Sequence, residues 1–154
     1  MISNDVRGRM RALAARYPSA RSATLPALHL AQEAEGYVTP RGVEAVAEAL
    51  GLRVDEVDSV VSFYSMFFTR PVGRSVIKVC TSISCYLRGS DALLAHLERT
   101  LGIGRGATTA DGRFTLRRVE CLAACGGGPC MQVGFDYHEN LDEKKVDALL
   151  ERLK

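Results

Sequence analysis

Five cysteines carry the first chemical signal in this chain of 154 residues, because all of them fall in its second half, at positions 80, 85, 121, 125 and 130. Cys80 and Cys85 enclose four residues, Cys121 and Cys125 enclose three, and thirty-five residues separate the two pairs. Thiolates are soft ligands. Four of them on two loops can complete a [2Fe–2S] cluster, two per iron, or close a tetrahedral zinc site, and the spacing leaves both open. Thr81, Ser82, Ser84, Ala123, Ala124 and the run Gly126 to Gly128 surround the pairs. Such small residues let backbone N–H groups approach anionic sulfur and tune a bound centre. Taken alone, each of those glycines reads as part of a flexible turn. Cys130 reads as a buried free thiol at the start of a strand. His29, His96 and His138 are scattered and read as structural or solvent-facing.

Two kinds of chemistry lack their parts. A thiol-exchange enzyme places its reactive pair as C-x-x-C near a helix N-terminus, and no C-x-x-C occurs. There is also no G-x-G-x-x-G after a strand and no glycine loop with a lysine to cradle phosphates. Hydride chemistry on a nucleotide is therefore expected to belong to a partner.

The elements that must position the thiols change character near residue 73. Before it the pattern is helical: Asp5 to Arg16, ended by Tyr17-Pro18; Pro26 to Glu35, stopped by Gly36; and a helix opened by Thr39-Pro40 and closed by Gly51. Val54, Val57, Val60, Val61 and Tyr64 continue the helical spacing up to Pro71 and Gly73. After it, SVIKVC reads as a strand running into a loop that holds Cys80 and Cys85. Ser90 is expected to cap a helix carrying Leu93, Leu94, Leu97 and Leu101, and RFTLRRVEC reads as a second strand delivering Cys121. Strand, helix, strand favours parallel pairing, with ligands beyond the carboxyl ends of the strands, where the cysteines fall. PCMQV and DYHEN are expected to form a hairpin about Gly134-Phe135, followed by a helix on Val146, Leu149, Leu150 and Leu153. The fold class is α+β: a helical bundle over residues 1–72, then an α/β domain with a small mixed sheet over 73–154.

With 47% hydrophobic residues and 25% charged, the chain is globular rather than disordered. A net charge of +2 is too even for a field-driven nucleic-acid binder, and no apolar run is long enough to span a membrane. MISNDVRGRMRALAARYP has no apolar core for a signal peptide and reads as a basic helix face, which points to a reducing cytoplasm. The segment VDSVVSFYSMFFTRPVG concentrates Phe63, Tyr64, Met66, Phe67 and Phe68, and is read equally as core and as a partner surface.

VSFYSMFFTRPVGRSVIKVCTSISCYLRG, VECLAACGGGPCMQV and YHENLDEKKVDALLERL together resemble the 24-kDa-type subunit of NADH-quinone oxidoreductase, respiratory complex I, from about Pro26 to Leu153. The resemblance implies a thioredoxin-like second domain with one [2Fe–2S] cluster on Cys80, Cys85, Cys121 and Cys125. It implies an electron carrier without its own NADH or flavin site. FMN and NAD(H) would sit on a larger partner subunit, in a complex peripheral to the inner membrane. The same subunit type occurs in NAD-reducing hydrogenases and NAD-dependent formate dehydrogenases. Readings from other classes are a thiol oxidoreductase and a zinc-stabilised interaction module. The chain departs from the family in having Ala123 where glycine is common and Gly127-Gly128 where Asn-Ala often precedes the proline.

Overall fold

A computed structural model describes residues 2–153. The chain divides into two compact units, one ending at Pro71 and the other starting at Val72. The first unit is helical: α1 (Asn4–Ala14), a 3-10 turn (Ala20–Ala23), α2 (Thr24–Glu35), α3 (Pro40–Leu50) and α4 (Val54–Phe63). Local chemistry sets the boundaries. The Ser3 hydroxyl accepts from the Val6 N–H and the Thr39 hydroxyl from the Gly42 N–H, each satisfying an orphan donor of a first turn. Gly36 and Gly51 end α2 and α3 with φ of 80° and 65°, a left-handed conformation that costs glycine nothing. The α2 helix starts two residues before the expected Pro26, because the 3-10 turn feeds directly into Thr24. Met10, Leu28, Val46 and Val57 are among the side chains that fill the bundle core.

The second unit runs β1 (Ser75–Cys80), α5 (Ile83–Leu87), α6 (Ser90–Leu101), β2 (Phe114–Val119), β3 (Met131–Val133), β4 (Asp136–His138) and α7 (Glu143–Arg152). Its sheet has the order β2-β1-β3-β4. β1 and β2 are parallel, with Cys80 opposite Val119, while β1–β3 and β3–β4 are antiparallel. Ile77, Val79, Leu116 and Met131 of the sheet share one core with Leu93, Leu94 and Leu97 of α6 and Val146, Leu149 and Leu150 of α7. His96 joins the two helices through Nε2, 2.7 Å from Asp147 Oδ1.

Three local expectations are corrected. Cys85 lies on the short helix α5 rather than on a loop. Ser90 is the first residue of α6 and Gly89, at φ 91°, takes the cap position. The alternation of RFTLRRVEC predicts Phe114 and Leu116 on one face and Thr115, Arg117 and Val119 on the other, yet Thr115 is buried, its hydroxyl accepting the Gly73 N–H at 2.6 Å and pairing with Thr108 at 2.7 Å.

Candidate metal centre

Parallel pairing brings the carboxyl ends of β1 and β2 to the same edge of the sheet, and antiparallel β3 starts where β1 ends. Three backbone segments therefore meet at Cys80. Its N–H donates to Cys130 O at 3.1 Å, and the next N–H, of Thr81, donates to Val119 O at 3.0 Å. The Cys80 thiol points back at Glu120 O, 3.6 Å away, just before Cys121. One turn of α5 then carries Cys85 under the same edge.

The sulfurs of Cys80, Cys85 and Cys130 all lie within 4.8 Å of one another, and Cys85 Sγ is 3.7 Å from Cys130 Sγ. All three residues are 2% exposed or less, and Leu122 and Ala124 pack against them. Cys121 and Cys125 are exposed and stand outside this triad, on the loop that follows β2. Sequence reasoning missed the partnership of Cys130, because nothing in linear spacing places residue 130 beside residue 85. Its only trace was a fifth cysteine in a chain whose cysteines cluster.

The surroundings treat the three thiols differently. Burial opposes ionisation of Cys80, yet hydrogen bonds from the backbone of Ser82 and Leu122 outweigh it and hold this thiol below the usual range. Burial and the neighbouring Cys80 push Cys85 up, and burial with Cys85 beside it pushes Cys130 up to about 12. The Ala123 N–H donates to Cys121 Sγ at 3.3 Å. That residue sits at φ 60°, a left-handed conformation unusual for alanine. Two cations stand close: Arg88 Nη1 donates to Gly126 O at 3.4 Å, and Arg118 Nε donates to Thr81 Oγ1 at 2.7 Å.

The glycine run is pinned rather than loose. Cys125–Gly127 form a 3-10 turn, and the peptide between Gly128 and Pro129 is cis. Gly127 O accepts the Asn140 N–H, and Pro129 O accepts the Leu141 N–H at 3.1 Å. A Cβ on Gly127 would collide with the side chain of Glu139, and one on Gly128 would come within 3.2 Å of Cys85 Sγ. Glycine at these two positions leaves room for the Glu139 side chain and for Cys85 Sγ. Soft donors at the end of β1, on α5 and on the loop after β2, N–H groups aimed at sulfur and a glycine backbone beside it fit an iron–sulfur group.

Residues 10–154 match the family described as thioredoxin-like [2Fe-2S] ferredoxin. The chain belongs to that family. It is 50% identical over 149 residues to the E 2 subunit of NADH-quinone oxidoreductase from Rhizobium meliloti (strain 1021), covering 97% of this chain and 89% of the relative. It is 41% identical over 138 residues to the E subunit of NADH-quinone oxidoreductase from Escherichia coli (strain K12), covering 90% and 83%. Among solved structures, an air-oxidized NAD+-reducing [NiFe]-hydrogenase superposes with a TM-score of 0.74 at 27% identity. That likeness covers 84% of this chain and 22% of the hydrogenase chain. Family membership separates this site from a zinc module and from a thiol-exchange enzyme.

Proposed function

We propose that the chain is an electron-transfer subunit of an NADH-quinone oxidoreductase, holding one [2Fe–2S] cluster on Cys80, Cys85, Cys121 and Cys125 and exchanging single electrons with a flavin on a larger NADH-oxidising partner. The observation that carries this reading is the meeting, at one sheet edge, of Cys80 and Cys85 with the loop that holds Cys121 and Cys125, in a chain 50% identical to an NADH-quinone oxidoreductase subunit over nearly its whole length. The cluster, when bound, supplies one reversible one-electron couple.

The residues of the chain do the rest. Cys80 and Cys85 anchor the buried side, and Cys121 and Cys125 the side open to a partner. N–H groups of Ser82, Leu122 and Ala123 donate to sulfur and favour the more negative, reduced state. Arg88 and Arg118 add positive charge nearby, in the same sense. Ile83 and Leu87, 66% and 75% exposed, flank Cys85 on α5 together with exposed Tyr86. Apolar groups of that size beside a redox site suit a protein partner. Attachment to a membrane would run through further subunits, since no helix of the described residues is long and apolar enough to cross one.

The test is direct. The purified chain should show the reddish-brown spectrum of a [2Fe–2S] centre and a paramagnetic signal after one-electron reduction. It should be reduced by NADH only when the flavin subunit is added. NADH-driven dye reduction by the chain alone, or stoichiometric FMN in it, would overturn the division of labour. A second reading, the equivalent subunit of an NAD+-reducing hydrogenase, is favoured by the 0.74 TM-score to such an enzyme. Affinity purification from the native cell decides between them, by recovery of quinone-reducing or hydrogenase subunits.

A further inference from the structure

Four thiols suffice for the proposed cluster, which leaves Cys130 without a task. Its position is nonetheless specific. A metal bound by thiolates at about 2.3 Å in tetrahedral geometry spaces two sulfurs about 3.8 Å apart. Cys85 and Cys130 already stand 3.7 Å apart. Cys80, within 4.8 Å of both, needs to approach by at most about 1 Å, a small side-chain rotation. Three sulfurs converging on one point suit a single ion. Two irons would instead divide their protein ligands into separate pairs.

We propose that Cys80, Cys85 and Cys130 form a mononuclear site for a soft divalent cation, iron(II) or zinc, in the chain when no cluster is bound. As each metal–sulfur bond forms, the S–H proton passes to solvent, and no electron moves. Three thiolates and a dication leave one net negative charge. The Ser82 and Leu122 N–H groups that reach Cys80 are placed to offset it, as are Arg88 and Arg118. A water or an exogenous ligand would complete the tetrahedron. The site shares Cys80 and Cys85 with the proposed cluster but does not depend on it. A metal held there must exchange Cys130 for Cys121 and Cys125 before those two residues can serve a binuclear centre.

The experiment uses the full chain, stripped of metal and kept reduced under anaerobic conditions, with Co2+ as the optical probe. A Cys121→Ser/Cys125→Ser double variant cannot assemble four thiolates, so it isolates the triad. It is expected to bind one Co2+ per chain, with thiolate charge-transfer absorption and tetrahedral ligand-field bands. Adding Cys130→Ser, nearly isosteric, should weaken binding at least about 100-fold while the far-ultraviolet circular dichroism stays the same. Cys130→Ala in the same background gives a second check on folding. The proposal is overturned if the double variant binds no Co2+, or if removing Cys130 leaves the affinity unchanged. Failure of the cluster reading looks different: Cys130→Ser alone would then lose iron and inorganic sulfide from the loaded chain.

Discussion

Replacing Phe67 by alanine separates the two roles of the aromatic segment after α4. Phe67 is 5% exposed, packs into the helical core and lies 5.1 Å, ring centroid to centroid, from His29. Its neighbour Met66 is held where its carbonyl accepts from Gln32 Nε2, and the Phe68 N–H donates to Gln32 Oε1 at 2.7 Å. The backbone is therefore tied to α2 and cannot collapse freely into the space a lost ring leaves. Truncation of a buried phenylalanine costs about 3–5 kcal/mol under such conditions. For a chain of this size each kcal/mol moves the midpoint by about 2–4 °C, so the expected fall is about 6–20 °C. Phe63 is the control: it is 80% exposed and touches Tyr64 edge-on at 5.0 Å. Phe63→Ala should cost less than about 1 kcal/mol. If Phe63 anchors the flavin subunit, the same change should raise the dissociation constant at least about tenfold, an effect near 1.4 kcal/mol. Thermal unfolding by circular dichroism and pull-down by the partner read the two quantities separately. A Phe67→Ala protein that melts within 2 °C of the parent, on the scale of about 2–4 °C per kcal/mol, would refute the core assignment.

Three further outcomes are expected. Cys121→Ser or Cys125→Ser should lose most of the iron and sulfide of the loaded chain while Cys130→Ser keeps the [2Fe–2S] spectrum, and the reverse pattern would overturn the proposed ligand set. Ala123→Gly should raise the melting midpoint of the metal-free chain slightly, because relief of a left-handed alanine at φ 60°, about 1–2 kcal/mol, exceeds the entropy glycine loses on folding, about 0.5–1 kcal/mol; a lower midpoint contradicts this. Gly127→Ala should cost about 1–3 kcal/mol in a denaturant titration, since the new Cβ must displace the Glu139 side chain, and an unchanged midpoint would mean that this turn yields freely.

Much of the molecule is legible in linear order because its determinants are local. The cap at Thr39, the stops at Gly36 and Gly51 and the hairpin about Gly134-Phe135 all depend on residues a few positions apart. Helical and strand periodicities place Val46, Leu97, Ile77 and Val146 in cores for the same reason. The grouping of Cys80 with Cys85 and of Cys121 with Cys125 is likewise a matter of spacing, and parallel pairing of their strands follows from the helices between them.

What the spacing could not contain is contact between distant segments. Cys130 reaches Cys85 only because β3 pairs antiparallel beside β1, so that residues forty-five positions apart share an edge. The exposure of Phe63 at the end of α4 against the burial of Phe67 just after it depends on which side of the chain faces α2, and composition treats the two rings alike. Strand alternation sets Thr115 on the face opposite Phe114 and Leu116, yet the Gly73 N–H and Thr108 give its hydroxyl partners inside the fold. In each case the deciding quantity is a desolvated contact whose partner lies far along the chain. A sequence states which groups need such a partner, and the packed fold decides which one they receive.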